Sequence, residues 1–201
     1  MVRRLLFVLA LALSAGSALA ANPEVELDTT AGTIKLELYP DAAPKTVDNF
    51  LHYVKDGHYN GTQFHRVIDG FMIQGGAYTA DFSPRPTRPP IVNEAQSSSK
   101  AGLHNVPGTI AMARTSNPDS ATDQFFINVA NNKPLDFRSP DPAGIGYTVF
   151  GKVVSGMDVV DKIARMSKGG RKVTGGAPVD PRSLTTEPVL ITSAKIVSPT
   201  Q

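Results

Sequence analysis

The stretch from Gln63 to Gly76, Q-F-H-R-V-I-D-G-F-M-I-Q-G-G, constrains the fold of this chain more than any other feature. Two short apolar runs, Phe64–Ile68 and Phe71–Gln74, flank an Asp-Gly pair, which is the strongest short-range signal for a β-hairpin. Side chains alternate between the two faces of a strand, so the pairing register decides which of them share a surface. The function of this stretch therefore depends on its register.

Two registers are open for the hairpin. A two-residue loop at the Asp-Gly pair would pair Arg66 with Ile73 and place Gln74 on the opposite face. A three-residue loop with Gly70 in the left-handed conformation shifts the register by one, and Arg66, Met72 and Gln74 then share a face. We favour the second register because it gathers a cation, an amide and an apolar floor into one patch. An arginine in a strand is nevertheless more often a solvated residue or half of a surface ion pair.

Residues 1–20 have the pattern of a cleaved secretory signal peptide. A basic start with Arg3 and Arg4 precedes the apolar run Leu5–Leu13, and Ala18-Leu-Ala20 is a small-x-small cleavage site. The apolar segment is shorter than the ~20 residues needed to cross a bilayer. We therefore expect export with cleavage after Ala20, which leaves residues 21–201 as a single domain with no membrane attachment.

The composition excludes several classes of function. Cleavage would remove two arginines and no acidic residue, so 18 basic and 18 acidic residues would remain and the formal net charge would be zero. A balanced charge argues against nucleic-acid or anionic-membrane partners, which need a basic surface. The chain has no cysteine, so disulfides and thiol catalysis are excluded.

The four histidines show no paired metal spacing, and no metal or cofactor is expected. His65 is expected to face away from the Arg66 surface.

The rest of the chain predicts an antiparallel barrel or sandwich. Short strands separated by turn-rich spacers, together with only two helices, are typical of these folds. A first hairpin is predicted around Ala31-Gly32, and Pro44 opens a helix that ends at Gly57 and carries an apolar stripe. Further strands are predicted at 109–113, 124–129, 147–154 and 188–197, a second short helix around 159–163, and loops at 77–90, 93–105 and 167–182.

Two familiar motifs are incomplete. Gly146–Val153 nearly matches a phosphate-binding loop, but Val153 stands where a magnesium-binding hydroxyl is required and the segment is predicted to be a strand. Ser97–Lys100 fits the S-x-x-K pattern of acyl-serine enzymes, but the other blocks of those enzymes are missing. We interpret both as chance matches.

Four blocks carry a resemblance to a known family: the hairpin itself, G-T-I-A-M-A-R-T at 108–115, S-A-T-D-Q-F-F-I-N at 120–128 and V-F-G-K-V-V at 149–154. They resemble, in order and at family spacing, the signature blocks of the cyclophilin-type peptidyl-prolyl cis-trans isomerases. The chain is most similar to the periplasmic cyclophilins of Gram-negative bacteria. The resemblance implies a closed eight-stranded antiparallel β-barrel capped by two α-helices, with the site on the outer face. It also implies a monomer in the periplasm that acts on unfolded or partly folded proteins containing Xaa-Pro bonds.

The resemblance also implies which residues form the site. Arg66 and Gln74 match catalytic positions, and Gln74 and Gln124 match a pair of amides that position the peptide. The positions implied to bind substrate are Phe71, Met72, Ala113, Arg114, Gln124, Phe126, Leu135 and Tyr147, among which Phe71, Met72, Phe126 and Leu135 form an apolar pocket for the proline ring.

Three positions depart from the eukaryotic pattern of the family. Arg114 replaces an asparagine and Tyr147 a histidine, and both replacements resemble the bacterial subgroup. Pro134 occupies the place of a tryptophan associated with cyclosporin binding, which puts sensitivity to that drug in doubt.

The chemistry of prolyl rotation suits these residue types. Rotation about a peptide bond crosses a barrier of ~18–20 kcal/mol because amide resonance is lost, and the prolyl nitrogen of the twisted amide becomes a hydrogen-bond acceptor. A guanidinium aimed at that nitrogen binds the twisted amide better than either planar isomer, which is the requirement for catalysis. Two alternatives stay open: a chaperone that grips prolyl peptides without turnover, and a phosphate-binding protein using Gly146–Val153.

Overall fold

The structure, a computed structural model, describes residues 21–174 and 176–197. The predicted signal peptide lies outside the described residues. The strands are β1 Glu24–Thr29, β2 Gly32–Leu38, β3 Thr62–Ile68, β4 Met72–Thr79, β5 Thr109–Met112, β6 Phe125–Asn128, β7 Val149–Ser155 and β8 Leu190–Val197. The α-helices are α1 Pro44–Lys55, α2 Ala95–Lys100 and α3 Met157–Arg165, and short 3-10 turns occur at Lys133–Leu135 and Pro181–Ser183. Within the described ranges, no helix is both long and apolar enough to cross a membrane.

The eight strands close into one antiparallel barrel in the order β1-β2-β7-β5-β6-β4-β3-β8. Strand β8 completes the circle by pairing with β1, where Leu27 lies opposite Ala194. Closure leaves no free sheet edge, so every strand has two hydrogen-bonded neighbours. The predicted eight-stranded antiparallel barrel is confirmed.

The structure has a third α-helix besides the two predicted ones, because α2 lies within the stretch 93–105 that was expected to be a polar loop. Only Ala95 and Ser98 are buried in this six-residue helix, so it has no apolar stripe that a sequence pattern could reveal. Strand β4 also runs to Thr79, into the predicted loop at 77–90.

Helix α1 covers the barrel interior, as its apolar stripe predicted. Pro44 stands in its first turn, and Val47, Phe50 and Val54 are buried. The Phe50 ring centroid lies 5.5 Å from that of Phe125 at an interplanar angle of 90°. Helix α3 adds Val160, Ile163 and Ala164 to the same core.

The β3–β4 hairpin has the register that places Arg66 opposite Gln74 and Ile68 opposite Met72. The loop contains three residues, and Gly70 is left-handed with φ +66°. This is the second of the two registers considered from the sequence, and its prediction is confirmed. A residue with a β-carbon would be strained at Gly70, which explains why this turn needs glycine.

A β-bulge interrupts the hairpin between Phe64 and Arg66. Phe64 belongs to the barrel core, whereas Arg66 is exposed, although residues two apart share a face in a regular strand. The extra residue allows His65 and Arg66 to line the same depression. The expectation that His65 faces away from the Arg66 surface was therefore wrong, because strand alternation was assumed to be unbroken.

Candidate functional site

A second apolar cluster lies on the outer face of the barrel. Along β6, Phe125 belongs to the inner core and Phe126 to this outer cluster, as strand alternation requires. Met72, Ala111 and Val149 are its other fully buried members. The cluster is open to solvent at a depression of about 180 Å³, which we call the outer pocket. The outer pocket is lined by Arg66, Phe71, Met72, Gln74, Ala113, Arg114, Phe126, Leu135 and Tyr147.

The floor of the outer pocket is rigid and apolar. Met72 is 1% exposed and Phe126 is 4% exposed, so both side chains are held on nearly all sides. The Phe126 and Tyr147 rings meet nearly edge to face, with centroids 5.7 Å apart. Such a preformed cavity can hold a small apolar ring without reorganising.

The polar rim on one side consists of Arg66, Gln74 and Gln124. The Nε2 of Gln74 donates a hydrogen bond to Oε1 of Gln124 at 2.9 Å. The Oε1 of Gln74 accepts a bond from Nη1 of Arg66 at 3.4 Å, beyond the usual N–H···O range. Gln124 does not line the outer pocket, but it fixes Gln74 at the rim. The weak bond leaves the exposed Arg66 guanidinium available to a ligand.

The opposite rim is formed by Arg114 and Tyr147, and here the guanidinium makes two hydrogen bonds and a ring contact. Arg114 donates from Nε to the Gly146 carbonyl at 3.0 Å and from Nη1 to the Thr115 carbonyl at 2.9 Å. Its guanidinium carbon lies 4.5 Å from the centroid of the Tyr147 ring, a cation–π contact. The two rim arginines therefore differ: Arg114 is held against the wall by two hydrogen bonds of ordinary length, and Arg66 is held by one long bond to Gln74.

A buried amide network supports the pocket and was missed by the sequence analysis. Asn132 donates from Nδ2 to the Phe71 carbonyl at 2.8 Å and to Oδ1 of Asn128 at 2.7 Å. Asn128 in turn donates to Asn105 at 3.2 Å. Asp136 accepts bonds from the Asn105 backbone N–H at 2.7 Å and from its side chain at 3.0 Å. The only sequence signal was a run of polar residues directly after an apolar strand.

Gly146 allows the chain to pass close to Leu135. Its φ is +71°, and a β-carbon there would lie 2.7 Å from the Leu135 carbonyl oxygen. The next residue, Tyr147, donates its backbone N–H to the same carbonyl at 2.9 Å. The glycine therefore holds the Leu135 and Tyr147 walls together. Pro134 is exposed and does not line the outer pocket.

The histidines are dispersed. His58 is buried against Asp123, with Nε2 3.0 Å from Oδ2, and His104 lies near Asp136. Burial lowers the pKa of His65 to about 4, so its ring is neutral near pH 7. Among the described residues, no group of three or more His, Cys, Asp or Glu side chains could hold a metal ion.

The fold is a closed antiparallel barrel that carries an apolar pocket and an exposed guanidinium on its outer face. Residues 24–196 match the family model described as cyclophilin type peptidyl-prolyl cis-trans isomerase/CLD. The chain therefore belongs to the cyclophilin-type peptidyl-prolyl cis-trans isomerases, and it is an enzyme of that activity.

Similar proteins come from several bacteria. Peptidyl-prolyl cis-trans isomerase A of Dickeya dadantii is 48% identical over 187 residues, which cover 92% of this chain and 90% of that protein. Peptidyl-prolyl cis-trans isomerase B of Escherichia coli K12 is 51% identical over 145 residues, covering 72% and 86%. The cyp18 isomerase of Streptomyces antibioticus is 52% identical over 173 residues, covering 86% and 98%.

Solved structures show the same fold. The crystal structure of a cyclophilin type isomerase from Cryptosporidium parvum aligns with a TM-score of 0.67 and covers 89% of this chain and 99% of its own. Its sequence identity is 24%, so this likeness concerns the fold alone.

Proposed function

We propose that this isomerase accelerates rotation about Xaa-Pro bonds in exported proteins, with Arg66 stabilising the twisted amide. The proline ring would lie against Met72 and Phe126 on the floor of the outer pocket. The rest of the peptide would rotate at the rim, where Gln74 and Gln124 hold its backbone. The reaction makes and breaks no σ-bond, so neither a nucleophile nor a leaving group is required.

The available Arg66 guanidinium at the mouth of an apolar pocket is the observation that carries this proposal. In the planar amide the prolyl nitrogen is conjugated and accepts poorly, whereas in the twisted amide it has a lone pair. A preorganised donor therefore binds the transition state better than the ground state.

The experiment that tests the proposal compares turnover and peptide affinity in Arg66→Ala. A charge-assisted hydrogen bond contributes ~1.5–3 kcal/mol, so turnover should fall roughly ten- to hundredfold while affinity changes much less. Arg66→Lys should recover little, because a flexible ammonium lacks the planar fork of a guanidinium. Arg165→Ala, which removes an exposed arginine from α3, is the matched control.

The result that would overturn the mechanism is near wild-type turnover in Arg66→Ala. Arg66 would then be an ordinary surface arginine. Phe126→Ala should show the opposite pattern and weaken peptide affinity, because it empties the floor of the pocket. If wild-type protein bound prolyl peptides without isomerising them in a protease-coupled assay, a chaperone that lacks turnover would be the better description.

We further propose that the protein works as a monomer in the periplasm on unfolded or partly folded proteins. The support for export to the periplasm is the sequence of residues 1–20, with its two arginines, leucine-rich run and Ala-x-Ala end. Mass spectrometry of protein recovered from the periplasm should find Ala21 as the first residue. An intact Met1 on membrane-bound material would contradict export by cleavage.

A further inference from the structure

A second depression adjoins the outer pocket on the Arg66 side of the rim. Its volume is about 240 Å³, and it shares Arg66 and Gln74 with the outer pocket. We call it the side pocket, and its lining residues are His65, Arg66, Gln74, Tyr78, Gln124, Pro178, Val179 and Asp180. The two shared residues mean that one bound peptide can reach both depressions. Together their volumes reach the range of ~300–1,000 Å³ typical of small-ligand sites.

The floor of the side pocket is aromatic and uncharged. His65 and Tyr78 meet edge to face, with ring centroids 4.9 Å apart and an interplanar angle of 89°. Both are nearly buried, at 4% and 9% exposure. The imidazole is neutral at physiological pH because burial lowers its pKa to about 4. The β-bulge is what turns His65 toward this side of the strand.

The wall of the side pocket is held in place by local hydrogen bonds. Asp180 precedes the 3-10 turn Pro181–Ser183, and its carboxylate accepts a bond from the Arg182 backbone N–H at 2.9 Å. Ser183 donates from Oγ to the Asp180 carbonyl at 2.8 Å. Pro178 and Val179 come directly before this fixed turn and present aliphatic surface to the pocket.

Arg171 holds an earlier part of the same loop against the β3–β4 hairpin. Its Nη1 donates to Oε1 of Gln63 at 2.9 Å, and Gln63 is fully buried on β3. Its guanidinium carbon also lies 4.9 Å from the centroid of the Phe82 ring. This contact holds Arg171 against the hairpin, and the hydrogen bonds at Asp180 hold the turn beside the side pocket.

A charged side chain of either sign would meet both an attracting and a repelling charge at the mouth of the side pocket. A cationic side chain would approach Asp180 but also Arg66, and an anionic one would approach Arg66 but also Asp180. Asp180 is already paired with the Arg182 guanidinium at 2.9 Å. An uncharged apolar side chain is not repelled by either charge, and it would bury apolar surface against the aromatic floor and the aliphatic wall.

We propose that the side pocket is a specificity subsite that takes an uncharged apolar side chain of the substrate, next to the prolyl bond that is held in the outer pocket. This proposal rests on the proposed function, since it places the prolyl bond at Arg66. The segment Pro178–Asp180 then selects among substrate sequences, and Arg171 is a positioning residue that holds the loop carrying that segment.

The test uses short peptides around an Ala-Pro bond, with each flanking position changed one at a time to Ala, Leu, Glu or Lys. At one position the Leu peptide should be isomerised with about tenfold higher kcat/KM than the Ala peptide, as apolar pockets discriminate side chains that differ by a few methylenes. Val179→Ala should reduce that ratio markedly. Val173→Ala, the same change in the same loop outside both pockets, should leave the ratio as in the wild type.

A second variant tests the charge argument independently. Asp180→Asn would leave the cations Arg66 and Arg182 uncompensated, so the Glu peptide should improve relative to the Leu peptide at the same position. A preference that Val179→Ala and Asp180→Asn both leave unchanged would overturn the subsite. Absence of isomerisation of any peptide by the wild-type protein would instead overturn the proposed function, so the two failures are distinguishable.

Discussion

The inner and outer faces of strands β4, β5 and β6 present two apolar clusters built from alternate residues of the same segments. On β6, Phe125 is 0% exposed and Phe126 is 4% exposed, and on β4 the same alternation separates Ile73 from Met72. The inner cluster is enclosed by the barrel and α1. The outer cluster is covered only around its edges by loop residues such as Leu103 and Leu135.

This difference shows that burial by itself does not distinguish a core from a site. Phe125 contacts Phe50, Tyr59 and Phe64 edge to face, so its ring is surrounded by aromatic neighbours. Phe126 has one such ring contact, with Tyr147, and its small exposed part lines the outer pocket. The inner face stabilises the fold, and the outer face lines the pocket in which we propose that the proline ring binds.

The largest expected effect is the difference in stability between the alanine variants of Phe125 and Phe126. Phe125→Ala should lower the free energy of unfolding by ~3–5 kcal/mol, because it leaves a cavity among rings that cannot collapse into it. Phe126→Ala should cost distinctly less stability but should weaken peptide binding. Urea unfolding and peptide titration of both variants measure the contrast. Equal losses of stability would show that the outer cluster is simply a second core.

An intermediate effect concerns His65, which lies at the bulge where the two faces meet. The pKa of His65 is about 4 in the folded protein, below the unfolded value near 6.5. The unfolded chain therefore takes up a proton before the folded protein does, so the free energy of unfolding is highest above pH 6.5 and decreases as the pH falls toward 4. At ~1.4 kcal/mol per pKa unit the loss is about 3 kcal/mol. His65→Phe should remove this part of the pH dependence.

Urea unfolding of the wild type and His65→Phe at pH 7, 5.5 and 4 would measure this difference. The two proteins should show different slopes of unfolding free energy against pH, whatever the other histidines contribute to both. Parallel slopes would mean that the imidazole is not held neutral by burial.

The smallest effect should be that of pH on catalysis. Between about pH 6 and 9 we expect kcat/KM to vary little, because a guanidinium stays charged in proteins and neither Gln74 nor Gln124 titrates. His65 is already neutral throughout this range. A pH–rate profile on one Ala-Pro peptide measures this directly, and a bell shape centred near neutrality would place a titrating group in the mechanism.

Much of the candidate site was predictable because it lies on one short hairpin. The Asp-Gly pair predicted the turn, and the need to gather Arg66, Met72 and Gln74 on one face selected the register that the structure has. The other seven site positions came from the resemblance to a family. Nine of all ten predicted positions line the outer pocket, and Gln124 is the exception. Their catalytic and binding roles stay predictions.

The amino-acid sequence by itself indicated the strand alternation and favoured the three-residue turn at Gly70, because these depend on local periodicity and on one residue that tolerates positive φ. The pattern left a barrel and a sandwich open, and the closed barrel was implied by the resemblance to a family. Only the tertiary structure decided which face His65 occupies, since a bulge depends on pairing with a second strand. It also decided the amide network behind Phe71 and the side pocket at Val179, which join segments far apart in the chain. Contacts of this kind leave no periodic pattern, because each joins residues that are far apart in the chain.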